Sequence, residues 1–244
     1  MNSIKLIIFK IYSIISTFIE NSLFKKKNNL SFFKKKGFLK IKLGEEIFKD
    51  IELEKKVNRN DYFRILILKE NQIQRILRKI FINNRISDEI TEITGFNYKV
   101  SYLILYETSN IPQDTRNQQI YANHWHFDKP YSRNTIKVII PFDKIDENSG
   151  AMEVLSIENS KKLEFENLKP DLKFMGDQND LLIFNPNLCA HKAGIPEKNF
   201  FRKQLMLQLN PSKDWCYSKI LYDKQFKIEP KFPLKNLFEN SLPF

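Results

Sequence analysis

Histidine, cysteine and glycine are all scarce here: three, two and six residues in a chain of 244. The two cysteines, Cys189 and Cys216, cannot build a disulfide framework, and no Cys-x-x-Cys pair offers a zinc knuckle. The expected setting is a reducing cytoplasm. Any metal site must draw on His124, His126 and His191. Six glycines and ten prolines exclude a collagen-like chain, and a 42% hydrophobic share excludes a disordered one. Long apolar runs are also lacking. Residues 6–9 and 11–19 are strongly apolar, but Lys5, Lys10 and Glu20 break them up. The uncharged stretch falls short of the roughly 18–20 residues of a spanning helix. Residues 20–24 do not resemble a signal-peptide cleavage site.

Positive charge is abundant. Forty basic residues against 29 acidic ones give a formal charge of +11, with lysine clusters at 25–27 and 34–36. Such a balance suits nucleic acid, an anionic membrane or an anionic substrate. The chain is also rich in Ile, Lys, Asn and Phe, a bias that AT-rich coding produces without selection for binding. No nucleic-acid partner is therefore expected.

Within residues 1–24, Lys10, Ser13, Thr17 and Glu20 recur at helical steps and make a polar stripe on an otherwise apolar helix. The expectation is that this amphipathic segment packs on the domain. Peripheral membrane contact through residues 1–36 is the rival reading. From 45 to 93 the pattern reads as two or three amphipathic helices, so residues 1–94 are expected to form a helical extension. After Gly95 the texture changes to short aromatic and β-branched runs at 98–106, 135–140, 150–155, 180–184 and 202–209, separated by turns. No helical crossover fits between them, so residues 95–212 read as an all-β sandwich or barrel, followed by a tail at 213–244. The whole is expected to be one unit, mainly β with α, its N-terminal helices packed on the β-core.

All three histidines lie in the β-region. His126 and Asp128 are two apart and, on an extended segment, share a face. His191 follows the 180–184 strand, where a partner strand of a rolled sheet brings it close. Two imidazoles and one carboxylate on one side of an ion leave three positions open, a set that suits non-haem Fe(II). A lone His-x-Asp pair is more often a hydrogen-bonded surface pair. The other motifs shift that balance: Gly150 to Leu155 after a turn, Asp180 to Phe184 before His191, and Arg202 at the start of a strand. On that strand Arg202 shares a face with Gln204, Met206 and Gln208, opposite Leu205, Leu207 and Leu209. A polar face holding an arginine fits a pocket for a carboxylate cosubstrate, although a plain surface arginine remains open.

The succession His124-Trp-His-Phe-Asp128, Asn148-Ser-Gly-Ala-Met-Glu-Val-Leu155, Asp180-Leu-Leu-Ile-Phe184, His191-Lys-Ala-Gly194 and Arg202 resembles the phytanoyl-CoA dioxygenase family of Fe(II)/2-oxoglutarate-dependent oxygenases. The resemblance covers about residues 98–211. It implies a double-stranded β-helix (jelly-roll) core with His126, Asp128 and His191 as the iron ligands. It also implies Arg202 as the holder of the distal carboxylate of 2-oxoglutarate, and O2 as the oxidant. Family members often carry Ser or Thr two residues after the distal histidine, where this chain has Ala193. Another donor must then assist Arg202, and Thr135, Lys137 or a tyrosine of the 98–106 run, such as Tyr102, is the candidate. His124, Trp125 and Gln204 are expected to support the ligands or wall the pocket. The implied reaction is hydroxylation of a small or carrier-bound metabolite, with decarboxylation of 2-oxoglutarate to succinate and CO2. In related halogenases a small residue replaces the carboxylate, so Asp128 speaks for hydroxylation, or for a desaturation or ring reaction of the same kind. A cupin-like oxygenase without 2-oxoglutarate, a non-catalytic relative and a basic membrane- or nucleic-acid-binding module are the rivals.

Overall fold

The computed structural model describes residues 3–26, 31–128, 132–226 and 239–244. Its strands are β1 (Phe38–Lys42), β2 (Leu53–Asn60), β3 (Phe63–Leu68), β4 (Asn97–Ser109), β5 (Ile136–Pro141), β6 (Met152–Val154), β7 (Leu172–Phe174), β8 (Asp180–Phe184), β9 (His191–Lys192), β10 (Phe201–Ser212), β11 (Cys216–Ser218) and β12 (Ser241–Leu242). The helices are α1 (Ser3–Phe24), α2 (Ser31–Lys36), α3 (Glu70–Arg78), α4 (Ile86–Thr94) and α5 (Leu221–Lys224). A π turn over Lys79–Asn83 extends α3.

Among the described residues, nine strands form one large sheet and three a small one. The spine of the large sheet runs β1-β8-β5-β10-β4, and the small sheet runs β7-β6-β9. This is a jelly-roll with helices on one side, as the sequence leads one to expect. Alternation along the strands assigns the two faces of the large sheet. Leu205, Leu207 and Leu209 of β10, with Leu103 and Leu105 of β4 and Val138 and Ile140 of β5, meet Ile76, Leu77 and Ile80 in the main core. Each fully buried aliphatic side chain contributes about 1.5–3 kcal/mol, so this face anchors the helical layer. The opposite residues turn towards the small sheet. Antiparallel register sets Gln204 beside Tyr106, Met206 beside Ile104 and Gln208 beside Tyr102. On the far side Lys137 of β5 pairs with Gln208 and with Phe184.

The 45–93 region differs from the helical expectation. Residues 53–68 form the β2–β3 hairpin, and β3 adds to the edge of β4. In the run Ile65-Leu-Ile-Leu68 both faces are covered. Ile65 and Ile67 pack with Tyr102 and Ile104, while Leu66 and Leu68 join the main core. A strand buried on both sides has no polar alternation, and its pattern is then indistinguishable from a helix segment. Helices α3 and α4 do follow the expected periodicity. Gly95 closes α4 in the left-handed region (φ +79), its N–H donating to Thr91 O. The tail also contributes sheet: β11 pairs with β4 and β12 with β11.

Helix α1 packs on the domain through its polar stripe. Ser132 Oγ donates to Glu20 Oε2 at 2.5 Å, Asn134 Nδ2 to the same oxygen at 3.2 Å, and Arg133 N to Thr17 Oγ1 at 2.9 Å. Asn187 Nδ2 donates to Ser13 Oγ at 3.3 Å. Lys10 is the exception and stays exposed. Over Ile7–Phe24 the helix is long and apolar enough to cross a membrane despite Lys10 and Glu20, with a mean hydropathy of 1.3, contrary to the count of uncharged residues.

Candidate metal centre

Strand β9 of the small sheet brings His191 against His126. His126 and His191 face each other across a single antiparallel bridge, each N–H donating to the other's carbonyl at 3.0 Å. Asp128 N donates to Pro186 O at 2.9 Å, which pins the segment to the turn after β8. The side-chain donors of His126, Asp128 and His191 then lie within 4.8 Å of one another. Asp128 Oδ1 is 3.6 Å from His126 Nε2 and 3.8 Å from His191 Nε2. Among the described residues this is the one such cluster of His, Cys, Asp and Glu.

Each group is prepared for an ion. His126 Nδ1 lies 2.8 Å from His124 O, and His191 Nδ1 lies 3.0 Å from Cys189 O. A carbonyl oxygen only accepts, so each Nδ1 carries the proton and each Nε2 presents a lone pair. Burial pushes His191 down to about 3, which keeps it neutral. Burial alone would raise the Asp128 carboxyl. The Lys137 ammonium outweighs it and holds the group below the usual carboxylate range. Lys137 forms its ion pair with Oδ2, while Oδ1 turns to the histidines. Two imidazole nitrogens and one carboxylate oxygen match the preference of a first-row divalent ion for N and O donors.

The cluster opens into a cavity of about 490 Å³ between the sheets. Arg202 lines it and is 1% exposed. Its Nη1 donates to Gly150 O at 2.7 Å and Gly194 O at 3.1 Å, whereas Nε and Nη2 are buried without a protein partner. That leaves one edge of the guanidinium for a planar, two-oxygen acceptor. The two carbonyls approach so closely because neither residue has a side chain. A Cβ on Gly150 (φ +71) would sit 2.5 Å from Pro196 N, and one on Gly194 would run into Ala151 O.

Of the residues expected to assist Arg202, Lys137 and Tyr102 line the cavity and Thr135 does not. Thr135 shares a face with Lys137 but lies one step before β5 begins, and its hydroxyl donates to Asn210 Oδ1 at 3.0 Å. Gln204 lines the cavity and its Nε2 donates to Tyr106 OH. Trp125 is not a wall of the cavity. Alternation turns it away from His126, and its ring lies 4.8 Å from Lys192 Nζ. His124 is exposed and acts through its backbone carbonyl, with its own ring beside Gln118 O at 3.3 Å.

Tyr106, another tyrosine of the 98–106 run, lines the cavity with Tyr102. Several lining residues were not singled out from sequence: Phe63, Gln119 and Tyr121. Phe63 comes from the misread hairpin. Gln119 and Tyr121 sit in an irregular loop where no period applies; Tyr121 OH donates to Ser109 O at 2.9 Å.

No protein-family model matches the sequence, and no curated protein matches it. Solved structures do. The non-heme alpha ketoglutarate dependent epimerase SnoN from nogalamycin biosynthesis aligns at a TM-score of 0.52 and 12% identity, over 72% of this chain and 79% of that one. SnoN in complex with Fe3+, alpha ketoglutarate and nogalamycin RO aligns at 0.50 and 11%, over 72% and 80%. EvdMO1 aligns at 0.50 and 13%, over 74% of this chain and 48% of its own, so this chain spans about half the length of EvdMO1. At such identities the likeness establishes the architecture, a jelly-roll core shared with a non-heme 2-oxoglutarate-dependent enzyme.

Proposed function

We propose that this protein is an Fe(II)/2-oxoglutarate-dependent oxygenase that hydroxylates a small or carrier-bound metabolite. The observation that carries this reading is one cavity lined both by the His126, Asp128 and His191 cluster and by Arg202, whose Nε and Nη2 are buried without a protein acceptor. An O2-using barrel without 2-oxoglutarate would leave that edge of Arg202 without a purpose. The kinship with SnoN in fold, and the resemblance of the motifs to phytanoyl-CoA dioxygenases, support the same assignment.

In this reading His126, Asp128 and His191 hold the iron, and Arg202 binds the distal carboxylate of 2-oxoglutarate. The iron would supply O2 activation coupled to loss of CO2 from the cosubstrate. The protein's own part is positioning. Gly150 O and Gly194 O fix Nη1 so that the Nε and Nη2 edge meets a carboxylate in one orientation. Lys137 takes Asp128 Oδ2 and thereby keeps Oδ1 turned towards the imidazoles. Tyr102, Ile104, Phe184 and Met206 supply apolar surface that excludes water from the cavity. With Ala193 in place of a hydroxyl residue, Lys137 or Tyr102, which line the same cavity, would give the cosubstrate its second contact.

The test is anaerobic addition of Fe(II) and then 2-oxoglutarate, read as a visible metal-to-ligand charge-transfer band. The wild type develops the band, Arg202→Ala needs much more 2-oxoglutarate, and His126→Ala shows none. A folded wild type without a band would overturn the cosubstrate assignment.

A further inference from the structure

Helix α1 presents its polar stripe to the domain and its apolar face to solvent. Ser16 and Glu20 are 0% and 1% exposed, while Ile7, Ile11, Ile14, Ile15, Phe18 and Leu23 are 48–72% exposed. Those residues recur at helical spacing and form one continuous face. A row of large apolar side chains in water marks a surface that something covers.

Charge identifies the occupant. Lys10 is exposed on the same helix, and Lys25, Lys34 and Arg133 gather with Thr17 and Asn21 around a surface cavity at its C-terminal half. Lys35 and Lys36 of α2 are exposed close by in sequence. A second copy of the chain would bring these like charges together, whereas an anionic bilayer compensates them. The helix is also held in a lying position. Ser13, Thr17 and Glu20 are bonded to Asn187, Arg133, Ser132 and Asn134, so crossing a membrane would strip those bonds and carry Glu20 into hydrocarbon. We propose that the outward face of α1, flanked by Lys10, Lys25 and Lys34, docks this protein on an anionic lipid bilayer with the helix lying in the membrane plane.

The proposal is independent of the metal centre, and the test uses the full chain without added iron. Co-sedimentation compares vesicles of phosphatidylcholine with an equal mixture of phosphatidylcholine and phosphatidylglycerol. The protein is expected to bind the mixture and not the neutral vesicles, and added salt should release it. The triple variant Ile11→Ser, Ile15→Ser, Phe18→Ser should abolish binding with the melting temperature unchanged, because these residues are exposed. The double variant Lys25→Glu, Lys34→Glu should weaken binding by at least about tenfold. Phe18→Trp should shift its emission to the blue on anionic vesicles only. Three outcomes overturn the proposal: equal binding to neutral vesicles, retention through high salt and alkaline carbonate as for a spanning helix, or no vesicle binding with a dimer that the triple variant dissociates.

Discussion

Asp128 and Glu20 are both carboxylates taken out of water, and the protein treats them in opposite ways. Asp128 has the Lys137 ammonium on one oxygen and two imidazoles near the other, and stays ionised below the usual carboxylate range. Glu20 has only the neutral donors Ser132 and Asn134, and burial pushes it up from 4.5 to about 7. Burial raises any carboxyl; at Asp128 the adjacent cation reverses the sign, whereas the two neutral donors at Glu20 do not offset it. The first environment presents an anion to a ligand. The second holds a helix in place through a group that is half protonated near neutrality.

The largest expected effect comes from removing the cation. Lys137→Met leaves Asp128 buried without its partner and should cost about 3–5 kcal/mol in urea unfolding of the metal-free protein. Wild-type Asp128 contributes stability that is complete above its ordinary value of 3.8 and declines as pH falls below it. The variant should lose that acid dependence.

Glu20 carries the opposite sign. Its pKa is higher in the folded state, so the unfolded chain ionises first and stability declines as pH rises from about 4.5 to about 7. A shift of this size corresponds to up to about 3 kcal/mol. Glu20→Gln should remove that contribution, read as the difference between the wild-type and variant profiles, because His191, held down to about 3, adds a slope of the opposite sign below its ordinary value of 6.5. The acid limb due to Asp128 stays untouched. A parallel pH profile for the two proteins would break the comparison.

Arg202→Ala is expected to weaken 2-oxoglutarate binding by about 1.5–3 kcal/mol, read by titration of the charge-transfer band, with little change in Fe(II) affinity. The smallest effect belongs to the α1 stripe. Thr17→Val removes the acceptor for Arg133 N and should cost about 1 kcal/mol, read as a lower melting temperature.

Strands β4, β5, β8 and β10 were legible as aromatic and β-branched runs bounded by turn residues, and the cavity face of β10 because its polar residues alternate with leucines. Arg202 stood out by sharing parity with Gln204 and Gln208 against three leucines. Strand β3 was not legible because its buried run Ile65–Leu68 shows no alternation and leads into α3 with no Gly or Pro to mark a boundary. Strands β7, β9, β11 and β12, of two or three residues each, are too short to show a period. Thr135 was misplaced because face parity says nothing about how far along a strand a cavity extends. The Lys137 pairing with Asp128 joins residues on separate segments, and no spacing rule reports it. The polar stripe of α1 was visible, but which way it faces depends on the donors of residues 132–134.

Everything proposed for the cavity depends on His126, Asp128 and His191 holding one ion together. Anaerobic equilibrium dialysis against Fe(II) tests this most directly. One tightly held iron per wild-type chain is expected, and none in folded His126→Ala or His191→Ala. Equal iron uptake by the wild type and both variants would contradict it.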